Sequence, residues 1–241
     1  MLELSTATFW IAVLQIIAID IMLGGDNAVV IALACRKLPE AKRKQGILWG
    51  VAGAIILRIA LIFFALQLLA VPWLKIAGAL LLFWIGIKLL QPENESHGDV
   101  AAATTLGGAV KTIIVADAVM SLDNVIAVAG AAHGNIILVA FGILASIPIV
   151  VWGSQLVLKL MDRYPAIIIA GGALLGWIGG GMTMSDPALP GDLFAGIPYA
   201  KIIFPMAGAL LVVITGKTLA ARAKRQPAVD LTASIKKDIA P

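Results

Sequence analysis

Charge is what this chain has least of. Asp, Glu, Lys and Arg make up 13% of its 241 residues, against about 25% in a soluble domain, so a water-facing surface cannot be built from it. The single cysteine, Cys35, excludes an intramolecular disulfide framework. The two histidines, His97 and His133, fall in polar breaks, which leaves no imidazole cluster for a soft metal. No basic n-region precedes the first apolar run, "MLELSTATFW", so that run reads as a retained span rather than a signal peptide. The basic excess, with pI near 9.3, lies in short breaks between apolar runs. It therefore reads as a topology signal and not as a nucleic-acid surface.

What is present is apolar length. Hydrophobic residues make up 61% of the chain and the mean hydropathy is +1.00. Seven runs, 9–34, 47–69, 73–90, 107–132, 135–157, 165–183 and 198–219, approach or exceed the roughly 20 residues that cross a bilayer core of about 30 Å. They predict one all-α, multi-pass membrane domain over 1–241, placed in the inner (plasma) membrane, with a polar linker at 91–106, an external loop at 184–197 and a tail at 220–241. Arg36, Lys37, Lys42, Arg43 and Lys44 crowd the first break, which puts it in the cytoplasm. Alternation then places 15 basic residues inside and only Lys75 and Lys201 outside, with Arg58 inside the second run. The expected topology is N-out, C-in.

Against this apolar background the acidic residues form a pattern. "DIMLGGDNAVV" from residue 20 and "DAVMSLDNVIA" from residue 117 both read D-x5-D-N, pairing Asp20 with Asp117, Asp26 with Asp123 and Asn27 with Asn124 at an offset of 97. Downstream, "PWLKIAGALLLFWIG" from Pro72 matches "PAIIIAGGALLGWIG" from Pro165 at an offset of 93. Three spans per unit (9–90 and 107–183) force consecutive units to enter the membrane from opposite sides. The reading is an inverted three-helix repeat with a seventh helix outside it, an architecture of secondary transporters.

Only Asp20, Asp26, Asp117 and Asp123 of the 14 acidic residues fall inside the spans. An aspartate near the bilayer centre costs at least about 2.5–3.5 kcal/mol, so four of them ask for a role. Pairing with Arg58, and protonated helix-to-helix hydrogen bonding, are two structural possibilities. A cation or proton site is the third. In a continuous helix Asp20 and Asn27 fall within about 20° of each other, with Asp26 on the flank. Gly24-Gly25 is a natural place to unwind, which would turn Asp26 toward Asp20 and free backbone carbonyls. The second copy has Ser121-Leu122 there, where a milder break is expected and the hydroxyl is a further oxygen. Four carboxylates and two amides make an all-oxygen set suited to Mg²⁺, Ca²⁺ or Mn²⁺, and clustered like charges favour proton uptake when the ion leaves. Asp186 and Asp192 are expected to be solvated loop carboxylates.

With "GGDNAVVIA" and "SLDNVIAVAGAA" in place, the chain resembles the TerC family of integral membrane proteins, in the wider group of LysE-like exporters, over roughly residues 9–220. The resemblance implies Mn²⁺ efflux, with Asp20, Asp26, Asn27, Asp117, Asp123 and Asn124 as the intramembrane metal residues and the metal as cargo rather than cofactor. It also brings links to tellurite resistance and to assisting membrane or secreted proteins, so a non-transporting assembly or insertion factor is the competing class. An intramembrane aspartyl protease needs G-x-G-D, which neither "LGGD" nor "MSLD" supplies, so no enzyme is expected. Metal ions, protons and lipid are the expected partners, with a homo-oligomer left open.

Overall fold

The structure is a computed structural model that describes residues 7–91, 105–131, 136–190, 193–194 and 196–225. The side chains of Asp20 and Asp123, and the linker 92–104 and tail 226–241, lie outside the described residues. Within them the fold is all-helical, with no strand: α1 (Ala7–Arg36), α2 (Glu40–Leu69), α3 (Leu74–Leu90), α4 (Leu106–Ala131), α5 (Ile136–Arg163), α6 (Ala166–Met184) and α7 (Ala200–Arg225). Four stretches are long and apolar enough to cross a membrane among the described residues: Glu40–Leu61, Gly142–Arg163, Ala166–Met184 and Ala200–Ala223.

Three helices outrun their apolar stretches. The helix α2 begins at Glu40, directly after Pro39, rather than at 47, so Lys42, Arg43 and Lys44 ride on its first turns instead of in a loop. Pro just before a run of Glu, Ala, Lys, Arg and Gln is a strong helix start. The helices α5 and α7 likewise continue to Arg163 and Arg225, which puts Lys159 and Arg163 on helix. Arg43 ties this end together: its Nη1 donates to Asp162 Oδ2 at 2.7 Å, and its Nε and Nη2 donate to the carbonyls of Leu38 and Arg36 at the end of α1.

All six tryptophans, Trp10, Trp49, Trp73, Trp84, Trp152 and Trp177, are exposed, together with a long series of Leu and Ile. An apolar outer surface of that extent is the surface of a protein solvated by lipid. The interior is where small and polar groups collect. One core joins α1, α3, α4 and α6 through Leu33, Leu82, Ile85, Met120 and Leu175. A second joins α1, α2 and α4 through Ile31, Cys35, Ile47, Val51 and Ile113.

The main packing pairs are α2 along α4, α5 along α1, α3 along α6, and α7 along α6, with α1 crossing α4. Glycine permits the closest of these. A Cβ added at Gly50 or Gly53 would lie 2.4 Å from the side chain of Ile113 or Ile114 on α4. At Gly176 it would lie 2.4 Å from the backbone oxygen of Gly208, and at Gly180 2.3 Å from that of Phe204, both on α7. Small residues at such spacing let membrane helices meet backbone to backbone.

One loop residue departs from expectation. Asp186 is buried rather than solvated, at 3% exposure. Its Oδ1 accepts from the N–H of Trp73 and of Ala188, both at 2.8 Å, and its Oδ2 accepts from Ile76 N–H at 3.1 Å. It thus caps the start of α3 from the end of α6, satisfying N–H groups that the helix itself cannot. Trp73 sits in the left-handed region at φ 67°, a conformation costly for a bulky residue, and the aspartate holds its N–H in place. Burial works against the charged form of Asp186, but the backbone N–H donors outweigh it and hold the carboxyl below its ordinary value.

Candidate functional site

The helix α1 carries "GGDN" through the middle of the protein as unbroken helix. The expected unwinding at Gly24-Gly25 does not occur, nor does a break at Ser121-Leu122 in α4. In lipid a broken turn strands carbonyl and N–H groups that no water can satisfy. A Cβ added at Gly25 would meet nothing within 4 Å, so no described residue packs on that face of the helix. The site must therefore be built from side chains. Asp26 and Asn27, on successive positions, point along neighbouring faces of the same turn.

Two further helices bring polar groups beside them. The helix α2 contributes Arg58, buried at 7% exposure, and α4 contributes Asp117 and Ser121, also buried. Arg58 Nη2 lies 2.7 Å from Asp117 Oδ1, and its Nε donates to Ser121 Oγ at 3.1 Å. The Ser121 hydroxyl donates in turn to Asp117 Oδ2 at 3.1 Å. Sequence spacing explains the last contact, since residues 117 and 121 are one turn apart. The pairing with Arg58 bridges 59 positions and depends on α2 packing along α4. A buried carboxylate held by a cation and a hydroxyl in this way is fully engaged.

Asp26 and Asn27 are not. The Oδ1 atom of each is buried and has no hydrogen-bond partner among the described residues. Leaving a buried acceptor unpaired costs about 1–3 kcal/mol, more when it is charged. Both are acceptor oxygens, so what they lack is a donor or a cation. Asn27 borders a small cavity of about 30 Å³ that it shares with Arg58, Asp117 and Ser146, walled by Ile31, Ile143 and other apolar groups. One water needs about 10–15 Å³ of such space, so the cavity has the size for one or two waters or one largely dehydrated ion. The charges of Asp117 and Arg58 are close enough to act on Asp26.

The structure thus brings Asp26, Asn27 and Asp117 to one place. Asn124 is half-buried on α4, and the side chains of Asp20 and Asp123 are outside the described residues. Among the described residues no three His, Cys, Asp or Glu side chains stand together at metal-ligand spacing. One participant is not singled out by sequence: Ser146 lines the cavity while its Oγ donates to the Ile143 carbonyl at 2.8 Å. Arg58 is the one basic residue inside an apolar run, and of the possibilities open to the aspartates the structure shows its pairing with Asp117. The donor chemistry suits a hard cation: Asp26 and Asn27 carry unpartnered oxygens among the described residues, and the third member, Asp117, borders the cavity together with Asn27. Arg58 already neutralises the third member.

Comparison with known proteins places the chain. It matches the family described as "Integral membrane protein TerC family" over residues 5–225. It is 44% identical over 181 residues to the "Uncharacterized membrane protein YjbE" of Bacillus subtilis (strain 168), covering 75% of this chain and 83% of that one. The "Uncharacterized membrane protein YceF" of the same organism is 26% identical over 212 residues, 84% of this chain and 81% of the relative. The "UPF0053 inner membrane protein YgdQ" of Escherichia coli (strain K12) is 26% identical over 175 residues, 66% and 73% of the two chains. No solved structure matches at a significant level. A match that spans nearly all of the described helices, joined to the two D-N helices and the lipid-facing exterior, leads to one conclusion: this chain belongs to the TerC family of integral membrane proteins.

Proposed function

We propose that this protein exports a divalent cation, Mn²⁺ as the substrate the oxygen donors suit best, across the inner membrane in exchange for protons. The observation that carries the reading is the pair of buried, unpartnered oxygens, Asp26 Oδ1 and Asn27 Oδ1, beside a cavity bordered by Asp117. Oxygen-only donors favour hard cations, and an intramembrane carboxylate facing the bundle interior marks an ion pathway by default. The ion is cargo and is bound by Asp26, Asn27 and Asp117. Asp20, Asp123 and Asn124 complete the set by motif register. No covalent chemistry is required of the chain.

Arg58 gives the exchange a second charge partner. While the cation is away, the guanidinium neutralises Asp117. An arriving divalent ion competes for the same carboxylate, and protons taken up by the aspartates replace the ion when it leaves. The seven-helix, N-out, C-in inverted repeat is part of this reading. It is supported by the packing among the six repeat helices, in which exchanging α1 for α4, α2 for α5 and α3 for α6 turns α2 with α4 into α5 with α1 and maps α1 with α4, and α3 with α6, onto themselves. The paired lengths agree as well, with 17 residues in α3 and 19 in α6.

The test is Mn²⁺ flux into inside-out membrane vesicles with an imposed proton gradient. Flux that follows the gradient and is lost in Asp26→Asn is expected. Flux indifferent to the gradient would remove the exchange, and unchanged flux in Asp26→Asn would remove the site.

A further inference from the structure

A second and roomier cavity lies away from the D-N motifs. It lies at the helix ends where α1 and α3 finish and α4 begins, has a volume of about 340 Å³, and is lined by Lys37, Lys88 and Lys111 above a floor of Leu81, Trp84, Ile85, Leu89 and Val115. Among the described residues that line it none is acidic. Its volume falls within the roughly 300–1,000 Å³ of small-molecule sites. It also has two chemically distinct ends, one of ammonium groups and one of hydrocarbon.

Two of the three lysines are held in place. Lys37 Nζ donates to the Lys88 carbonyl at 3.3 Å, and Lys88 Nζ stands 4.8 Å from the centre of the Trp84 ring. Trp84 is itself exposed on the outer surface, so the apolar wall of the cavity continues into the lipid-facing surface of α3. A positioning signal for topology needs only charge near the membrane edge. Three lysines lining one groove whose apolar wall reaches the lipid-facing surface do more than that.

We propose that this groove binds an anionic glycerophospholipid, with the phosphate between Lys37, Lys88 and Lys111 and the first acyl carbons against Leu81, Trp84, Ile85 and Leu89. A free phosphate would use the lysines and leave the hydrocarbon floor wet, whereas a zwitterionic lipid would bring its own cation to the lysines. Basic pockets between membrane helices favour anionic headgroups at about 1 kcal/mol per lysine. The assignment to the cytoplasmic leaflet rests on the orientation proposed above; the binding does not.

The experiment counts bound lipids on the purified full chain by native mass spectrometry, with phosphatidylglycerol or phosphatidylcholine supplied in the micelle. Retention of phosphatidylglycerol over phosphatidylcholine is expected, with about 100-fold weaker binding in K37Q/K88Q/K111Q, the combined effect of three lysines. The same number of charges removed from exposed positions of the same end, K42Q/K44Q/K217Q, is expected to change little. Lys111 is exposed, so K111Q alone tests the site without disturbing packing and is expected to weaken binding about fivefold. Equal retention of both lipids, or equal loss in both triple variants, overturns the proposal. Displacement of phosphatidylglycerol by equimolar inorganic phosphate also overturns it, assigning the groove to a free anion. Phosphatidylglycerol binding that appears only after Glu93, Glu95 and Asp99 are changed to Gln or Asn does so too, because the occupant is then the chain's own acidic segment.

Discussion

The two helices that carry the D-x5-D-N motif are alike in sequence and unlike in what their neighbours give them. The helix α4 is packed by α2, which brings Arg58 to Asp117. The helix α1 is packed by α5, whose run from Ile136 to Leu158 contains no Lys or Arg. What α5 offers instead is Ser146, and Ser154 whose hydroxyl is spent on the Val150 carbonyl. One arm of the pair therefore has its acid neutralised by the fold, while the other leaves oxygens open. The two aspartates concerned, Asp117 and Asp26, are not at equivalent motif positions, so the difference is one of surroundings and not of register. It separates a carboxylate that holds the helices together from one that is kept available.

The sharpest way to break this contrast is to remove one member of the engaged pair. Asp117→Ala leaves Arg58 buried and uncompensated, and a loss of about 3–5 kcal/mol is expected, read as a fall in the melting temperature of the detergent-solubilised protein. Removing both charges together, Arg58→Met with Asp117→Leu, is expected to recover most of that stability, and failure to recover would mean that Asp117 does more than balance Arg58. Asp26→Asn and Asn27→Leu should behave oppositely. In Asn27→Leu an unpaired buried acceptor disappears, so stability should hold or rise by about 1 kcal/mol while Mn²⁺ flux is lost. A melting temperature that drops as far as in Asp117→Ala would erase the distinction between the arms.

Two smaller effects sharpen it further. Ser121→Ala removes one hydroxyl from the engaged cluster and is expected to cost about 1 kcal/mol, with flux reduced but present. Asp186 lies outside the pair, and its carboxyl is held below its ordinary value of 3.8. A group depressed on folding contributes stability that is fully present above the unfolded value and lost as the pH falls through the folded one. Stability should thus be flat from neutral pH to about 5 and decline only below about 4. In Asp186→Asn that acid-side slope should be shallower, which a melting series across pH would record.

Much of this was legible in the sequence, for reasons that differ from place to place. The bounds of α3, α4 and α6 follow from apolar runs closed by proline, glycine or charge. For α2, α5 and α7 hydropathy marks the part in the bilayer, and the helix goes on past it wherever Lys, Arg, Ala and Gln follow. The convergence of Asp26, Asn27 and Asp117 could be read because acidic residues are rare enough here for two copies to stand out. The glycine pair misled, since its flexibility matters only if something else satisfies the opened backbone. Asp186 was misread because a loop position says nothing about whether a helix end 110 residues away needs an acceptor. The pairing of Arg58 with Asp117 was foreseen only as one possibility, because a contact across 59 positions is a property of how α2 lies on α4.

The contact between α6 and α7 has a mechanical meaning. Where Gly176, Gly180 and Gly208 bring the two backbones together, the three glycines bring no side chain of their own to change rotamer and absorb sliding. Shear along that line would drive carbonyl oxygens into the opposing chain, so the two helices can only part or travel together. A displacement of α6 is therefore expected to carry α7 with it, and because α7 also packs on α3, with Val212 beside Gly86, that displacement would be felt there as well.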